Sequence, residues 1–337
     1  MFEKRILIVR RWFVRPMGPC GHATGFCVLL PVPGPRRDVG GAKSFAPRCR
    51  GREVIRAPVN GKLRHMPALK VDLHTHTTIS DGRLSPEELV RAIAQSGLDY
   101  FSITDHDTLG MYLRHSPLLT SFGRKVISGV EVSTFADGRE VHILGYGFPV
   151  RSDTLSGVLT DRRQTRRERA VKIVEKLREQ GVRIQMSDVE RHAGSGMIGR
   201  PHIARALVEQ GAARDISEAF ERYIGSHCEA FEPSSRLSPA QAIAAIKQSG
   251  GVPVLAHPTR NAAEELLDQL VSDGLQGVEV YSTSHTAHDA ERLKAKARER
   301  RLVRTAGTDF HGPTEANPLP GCEVEEAELG AFLDLIS

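Results

Sequence analysis

The chain has 337 residues, of which 40% are hydrophobic and 26% are charged, a composition typical of a globular protein with one large domain or two ordinary ones. No run of 18 apolar residues occurs, so the sequence predicts no transmembrane helix. The net charge of +5 is unevenly spread: residues 1–66 hold 14 lysines and arginines against three acidic residues, a net +11, and the remainder carries −6. A basic pI usually favours nucleic-acid binding, but that inference does not extend to the acidic remainder.

The first 65 residues do not resemble the start of a folded domain. Closely spaced prolines at 31, 33 and 35 break any helix or central strand. Arg10 and Arg11 interrupt the apolar patch near the start, which argues against a secretory signal. We favour the hypothesis that the functional chain begins at Met66; a basic nucleic-acid-binding or transit-like arm and a disordered extension remain alternatives. Only Cys228 and Cys322 lie beyond this segment, which predicts a reducing, cytoplasmic location.

The rest of the chain alternates strand and helix patterns, which predicts an α/β fold with parallel strands. One phrase occurs twice, from Ser85 to Asp107 and from Ser238 to Pro258. Each copy opens with serine and proline, and an acid or amide stands three residues after the serine, which predicts a capping box. Each predicted helix ends near a glycine and is followed by a strand leading to a histidine. This is the repeating unit of a βα barrel.

Seven short apolar segments predict barrel strands, and nearly all carry a histidine, aspartate or glutamate. Side chains at the carboxyl ends of barrel strands converge on one site, so the sequence predicts a metal site built by the whole barrel. The segments are "LKVDLHTH", "FSITDHD", "VISGVEV", "VHILGYG", "VPVLAHP", "GVEVYS" and "VRTAGTDFH".

His74 and His76 are the clearest candidate ligands. Residues two apart on an extended segment share a face, so both imidazoles can reach one ion, and imidazole and carboxylate are ligands for Zn, Mn or Fe. Alone, the pair could be two chance surface histidines. Taken with Glu131, His142, His257, Asp309 and His311 at other strand ends, it predicts a metal site.

Residues 155–231 interrupt the barrel pattern with three predicted helices and no strand between them, which predicts a small helical insertion covering the site. The segment "GRPHIARAL" places Arg200 and His202 at a helix start, where backbone N–H groups favour anions. We predict that both contact a phosphate; a solvated helix start is the alternative. Arg260 is a weaker candidate for the same contact.

The motifs "DLHTHTTISDG", "ITDHD", "GVEVS", "HILGYG", "LAHP" and "GTDFHG" together resemble the PHP (polymerase and histidinol phosphatase) family, most closely its TrpH-like branch. The resemblance implies a distorted (β/α)7 barrel, here residues 66–154 and 232–337, with the helical cap inserted at 155–231. It implies that a first metal binds His74, His76, Glu131 and Asp309. Glu131 would bridge to a second metal with His142 and His257, and a third would bind Asp81, His106 and His311.

The resemblance also implies a function. We expect two or three divalent ions, Mn most of all, with Fe or Zn as alternatives, and hydrolysis by a metal-activated hydroxide. Glu131, Asp309, Asp107, Arg200 and His202 are the expected catalytic residues. Asp72, Asp105 and Asp107 are expected to orient imidazoles, and strand-end caps are the alternative for Asp72 and Asp105.

The substrates implied are nucleoside 3′,5′-bisphosphates and short 5′-phosphorylated RNA, with no membrane and no obligate protein partner. A phosphatase of a small metabolite such as histidinol phosphate is one alternative. A non-catalytic structural module is a second alternative. An RNA-binding protein that uses the basic segment 1–65 is a third.

Overall fold

The protein is described here by a computed structural model, which covers residues 68–337 apart from 161, 195 and 234–236. The prediction that the functional chain begins at Met66, and the prediction for residues 1–65, fall outside the described residues.

Eight strands of the described residues form two sheets. The order is β2-β1-β8 in the three-stranded sheet and β3-β4-β5-β6-β7 in the five-stranded sheet. Isolated parallel bridges join Thr75 of the first sheet to Phe310, and Phe101 of the same sheet to Val126, where Phe310 and Val126 lie outside the strands of the second sheet. The strands are β1 (Ala68–Thr75), β2 (Tyr100–Ile103), β3 (Gly129–Ala136), β4 (Arg139–Tyr146), β5 (Val252–Leu255), β6 (Gly277–Tyr281), β7 (Val303–Ala306) and β8 (Cys322–Glu325).

The predicted parallel arrangement does not hold for β4, and β8, which the sequence did not predict, is antiparallel as well. Strand β4 pairs antiparallel with both β3 and β5, and β8 pairs antiparallel with β1. The cause at β4 is a tight hairpin: Asp137 and Gly138 join β3 to β4 with φ angles of 48° and 76°. An Asp-Gly pair between two strands is a strong hairpin signal because both residues tolerate positive φ. His142 therefore reaches the site from the first half of its strand rather than from its carboxyl end.

The two predicted capping boxes are confirmed. Ser85 accepts a hydrogen bond from the Glu88 amide, and Ser238 accepts one from the Gln241 amide. Gly97 ends the first of these helices in the left-handed conformation, φ 65°. The helices outside residues 153–224 are α1 (Pro86–Ser96), α2 (Gly110–Arg114), α8 (Pro239–Gln248), α9 (Leu267–Ser272), α10 (Ala287–Glu299) and α11 (Glu326–Leu335), with 3-10 segments at Ser116–Lys125 and Arg260–Leu266.

A group of helices lies between β4 and β5, where the sequence predicted three. From Ala170 to Ala230 its apolar residues form a hydrophobic cluster of their own, whereas Leu155 and Leu159 of the first helix pack with the barrel core. The insertion boundaries at 155–231 remain a prediction. The helices are α3 (Asp153–Thr160), α4 (Arg162–Glu179), α5 (Met186–Ala193), α6 (Arg200–Glu209) and α7 (Ile216–Ala219), followed by a π-helical turn (Phe220–Ile224).

Two of these helices, α3 and α5, were not predicted. Both are only eight residues long, which leaves little room for a periodic pattern. Within the described part of the chain, no helix is long and apolar enough to cross a membrane.

Candidate metal centre

Glu131 lies at the centre of the candidate site. It is fully buried on β3, and five imidazoles surround its carboxylate. Imidazole nitrogens lie 2.8–3.2 Å from its two oxygens. A buried carboxylate tolerates this position only with such compensation. The imidazoles belong to His74, His76, His106, His142 and His257.

Candidate ligands group into three clusters, in each of which the ligand atoms all lie within 4.8 Å of one another. The first and second share Glu131, the first and third share His76, and the second and third share His106, so the clusters adjoin. The clusters are His74, His76, Glu131 and Asp309; His106, Glu131 and His142; and His76, Asp81, His106 and His311.

Two details differ from the ligand sets that the resemblance implied. His76 and His106 each belong to two clusters rather than one. His257 belongs to none of the three, although its Nε2 atom lies 3.0 Å from Glu131 Oε1. The structure nevertheless brings all nine predicted ligands into one connected group. The sequence could only suggest this proximity, from the positions of these residues at strand ends.

The donor set fits divalent ions. Several buried polar atoms of the site make no hydrogen bond with the described residues, whereas buried polar groups are nearly always paired. Imidazole nitrogens and carboxylate oxygens together suit Zn, Mn and Fe. The atoms are both ring nitrogens of His76, Oδ1 of Asp81, Nδ1 of His106, Nδ1 of His257 and Oδ1 of Asp309.

The electrostatics of the site point the same way. Burial alone would raise the pKa of Glu131, but the surrounding histidines lower it well below its usual range. Burial lowers the pKa of His76, yet Asp309 and Glu131 together raise it to about 10. The pKa of His106 falls to about 3 because burial outweighs the pull of nearby carboxylates. The buried carboxylates thus demand positive charge, which protons or metal ions can supply.

Strained backbone accompanies the site. Asp107, His257 and Asp309 have φ angles of 53°, 26° and 54°, in a region that non-glycine residues rarely occupy. Each follows a barrel strand. Such strain persists only where the surrounding structure fixes it, and it concentrates at functional sites.

Glu279 is a site residue to which the sequence assigned no role. It is fully buried on β6; its Oε1 lies 3.0 Å from His74 Nδ1 and its Oε2 accepts a hydrogen bond from the His257 amide at 2.8 Å. It thereby orients two candidate ligands. The available signal was an acid in the middle of the otherwise apolar segment "GVEVY".

Two of the aspartates expected to orient imidazoles, Asp72 and Asp105, accept hydrogen bonds that hold the chain around the site. Asp72 accepts hydrogen bonds from the amides of His74, Thr308 and Gly321, which fits the strand-end alternative. Asp105 accepts from Thr77 and Ser80 and holds the loop that follows β1.

Asp107, which was also an expected catalytic residue, is fully buried and forms an ion pair with Arg166 of α4 at 2.6 Å. It accepts a hydrogen bond from the Ser133 amide and belongs to none of the three clusters. These two contacts link the barrel to α4, and the expected roles of Asp107 in catalysis and in orienting an imidazole stay predictions.

A cavity of about 910 Å³ lies over the clusters. Arg200 lines it; its guanidinium pairs with Glu140 and lies 5.4 and 5.3 Å from the ring centroids of Phe220 and Phe231. Arg260 also lines it and pairs with Asp309 at 3.1 Å.

His202, the other predicted phosphate contact, is 2% exposed and is not among the cavity-lining residues. Its Nδ1 accepts a hydrogen bond from the Gly199 amide at 2.9 Å, so it caps α6. Burial lowers its pKa to about 4. The structure therefore does not bring His202 to the cavity surface. The lining contains four further basic residues to which the sequence assigned no role in the site: Arg83, Arg166, Arg205 and His227.

Comparison with known proteins agrees with this geometry. The family model for the PHP domain matches residues 72–233. A 5′-3′ exoribonuclease of Haemophilus influenzae is 33% identical over 272 residues, which cover 79% of this chain and 95% of that protein. A 3′,5′-nucleoside bisphosphate phosphatase of Chromobacterium violaceum is 32% identical, covering 73% of this chain and 88% of that protein.

Among solved structures, a candidate metal-dependent phosphoesterase from Bifidobacterium adolescentis superimposes with a TM-score of 0.70. It is 31% identical and covers 79% of this chain and 96% of its own. The predicted fold class, an α/β protein of the distorted (β/α)7 barrel type, is confirmed by these matches. The chain therefore belongs to the PHP family of metal-dependent phosphoesterases, and it is a phosphoric ester hydrolase.

Proposed function

We propose that this enzyme hydrolyses the 3′-phosphate ester of 5′-phosphorylated nucleotides, both nucleoside 3′,5′-bisphosphates and short 5′-phosphorylated RNA. The observation that carries the proposal is the cavity over the three clusters. Its volume of about 910 Å³ suits a nucleotide-sized ligand, and five arginines line it, which favours a substrate with more than one phosphate. The arginines are Arg83, Arg166, Arg200, Arg205 and Arg260.

One reaction accounts for both substrate types. Water attacks the phosphorus of the 3′-phosphate and the bond between phosphorus and the 3′ oxygen breaks. A bisphosphate then gives a nucleoside 5′-phosphate and inorganic phosphate. A 5′-phosphorylated RNA gives the same 5′-mononucleotide and an RNA shortened by one nucleotide that again carries a 5′-phosphate. The names of the two relatives, an exoribonuclease and a bisphosphate phosphatase, are compatible with this single chemistry.

We propose that two to three divalent ions bind the clusters, with Mn favoured because three carboxylates contribute and Fe or Zn as alternatives. When bound, such ions acidify water and offset charge on phosphoryl oxygens. The residues that would hold them are His74, His76, Asp81, His106, Glu131, His142, His257, Asp309 and His311. The chain's own contribution is to fix these side chains: Glu279 and Asp72 brace them from outside the clusters.

Arg200 is the proposed contact for the 5′-phosphate. Its side chain is 17% exposed, and Glu140 together with the rings of Phe220 and Phe231 holds its guanidinium. Glu140 is shared with Arg169, at 2.8 Å, so the three charged groups sum to one positive charge. A guanidinium fixed in this way loses little conformational freedom on binding phosphate.

A substrate panel tests the proposal. We expect phosphate release from 3′-phosphoadenosine 5′-phosphate, and cleavage of 5′-phosphorylated but not 5′-hydroxyl oligoribonucleotides. Arg200→Gln should lower kcat/KM on both substrates by about tenfold to a hundredfold, since hydrogen bonds to charged groups contribute about 1.5–3 kcal/mol. Arg214→Gln is the matched control, because Arg214 is 84% exposed at the surface.

Two other results would contradict the proposal. Phosphate release from histidinol phosphate alone would favour the small-metabolite alternative. Fewer than two bound metals, with no activity after Mn²⁺ is added, would favour a structural module. We also propose a cytoplasmic location and a cap that spans residues 155–231. The two cysteines of the described residues are free thiols, which is compatible with a cytoplasmic location.

A further inference from the structure

Two of the cavity arginines differ from the other three. Arg166, Arg200 and Arg260 each pair with a carboxylate. Arg83 and Arg205 have no acidic side chain within ion-pair distance in the described part of the chain. Guanidinium groups that face a cavity without a carboxylate partner have charge available for a ligand.

Both arginines are nevertheless fixed in place. Arg205 of α6 donates a hydrogen bond from Nη2 to the carbonyl oxygen of Asp81 at 2.8 Å. Arg83 donates from Nη2 to the carbonyl oxygen of Pro313, and its backbone amide donates to the carbonyl of His311 at 2.8 Å. Each contact uses a neutral backbone acceptor, so neither hydrogen bond offsets the charge, and other N–H donors of each guanidinium remain for a ligand.

The carboxylate of Asp81 attracts Arg205 electrostatically, but among the described residues it forms no ion pair with either arginine. Asp81 faces the third cluster, with its oxygens 3.2 Å from His311 Nε2 and 3.7 Å from His106 Nε2. The pair therefore lies directly beside the clusters, with the main chain of Asp81 between Arg205 and the candidate ligands. We call Arg83 and Arg205 the rim pair, because Arg83 is exposed and Arg205 is half-buried.

The rim pair is separate from Arg200. Arg200 and Arg205 are five residues apart on α6, which places them about 7.5 Å apart along the helix axis and about 140° apart around it. Arg200 lies more enclosed, between two aromatic rings and beside Glu140. An enclosed cation suits a terminal phosphate, past which no chain continues, whereas an exposed pair suits a strand that leaves toward solvent.

We propose that the rim pair binds the phosphodiester that follows the scissile phosphate in an oligoribonucleotide, the link between its second and third nucleotides. This inference rests on the proposed function, since it takes the 3′-phosphate of the first nucleotide to lie at the clusters. A bisphosphate and a dinucleotide lack this phosphodiester, whereas a trinucleotide has it. The rim pair thus adds binding energy for polynucleotide substrates only.

The test compares kcat/KM for three substrates: 3′-phosphoadenosine 5′-phosphate, 5′-phosphorylated diadenylate and 5′-phosphorylated triadenylate. The wild-type enzyme should prefer the trinucleotide to the dinucleotide. Arg205→Gln and Arg83→Gln should each lower that trinucleotide-to-dinucleotide ratio by roughly tenfold, the loss of one charge-assisted contact. Arg214→Gln, which removes an equal charge from the cap surface, should leave the ratio as in wild type. An unchanged ratio in both rim variants would overturn the proposal.

A binding measurement separates this inference from the proposed function. Fluorescence anisotropy of a labelled 5′-phosphorylated triadenylate whose first internucleotide link is a non-hydrolysable phosphonate, titrated with the metal-loaded enzyme at several salt concentrations, gives the slope of log K against log salt. Each rim variant should reduce that slope by about 0.7, the value for one phosphate contact on a single strand. If the wild type hydrolyses none of the substrates, the proposed function fails. The salt-dependence slopes then still test whether the rim pair binds the phosphodiester. A smaller slope in the variants than in the wild type supports that binding, and equal slopes overturn it.

Discussion

Glu140→Gln is the substitution whose effect can be worked out most fully. Glu140 lies on β4 with its side chain 5% exposed, and its carboxylate contacts Arg169 of α4 and Arg200 of α6. The Arg169 side chain is 8% exposed. Burial lowers the pKa of Arg169 to about 9, with Glu140 offsetting part of that fall. The substitution keeps the volume but leaves two largely buried guanidinium groups without this anion.

Removing one partner of a buried ion pair costs about 3–5 kcal/mol because the remaining charge stays desolvated. In a domain of this size each kcal/mol lowers the melting temperature by roughly 2 °C, so we expect a fall of roughly 6–10 °C in Tm by differential scanning calorimetry. KM for the 5′-phosphorylated substrate should rise too, since Arg200 loses the group that fixes it.

The control is Glu265→Gln. Glu265 also pairs with an arginine, Arg139 at 2.9 Å, but its side chain is 64% exposed, and exposed pairs contribute about 0–1 kcal/mol. If Glu140→Gln destabilises the enzyme no more than Glu265→Gln does, the reasoning about the buried network is refuted.

Three further substitutions test the fold and the site. Gly307→Ala should reduce the bound metal measured by mass spectrometry, because its Cβ would lie 2.4 Å from the Cβ of His74; full metal content would contradict the packing argument. Tyr146→Phe removes the hydrogen bond from the buried Tyr146 hydroxyl to the Leu73 carbonyl and should cost about 1–3 kcal/mol in urea denaturation, whereas unchanged stability would show that this carbonyl needs no partner. Ser85→Ala removes the capping box of α1 and should cost about 0.5–2 kcal/mol, with Ser85→Thr as the conservative control that should retain most of it.

Much of the fold could be predicted because its signals are local. Seven strands follow apolar runs, and the caps at Ser85 and Ser238 follow from a short motif. Strand β8 could not be found in this way: it has four residues, "CEVE", of which only Val324 is buried. Asp137 and Gly138 are a local signal for a hairpin and so for an antiparallel β4. The prediction instead followed the repeated strand and helix pattern of a barrel, which favours parallel strands.

The residues of the candidate site likewise divide into those with a local sequence signal and those without one. The candidate ligands stand in motifs at or near strand ends, so the sequence could name them. The supporting contacts depend on distant pairs: Glu279 is 205 residues from His74, and Arg205 is 124 residues from Asp81. No pattern within a short window encodes such pairs. The buried position of His202 could not be predicted, because a residue at a helix start can face either a ligand or the helix itself, and tertiary packing decides which.

Phosphate release from 3′-phosphoadenosine 5′-phosphate, measured before and after the protein is stripped with a chelator, tests the central claim most directly. The account predicts that the stripped protein is inactive, and that activity returns as two to three Mn²⁺ ions bind per chain. Hydrolysis that continues at the same rate in the stripped protein, or a protein that binds the ions and never releases phosphate, would contradict it.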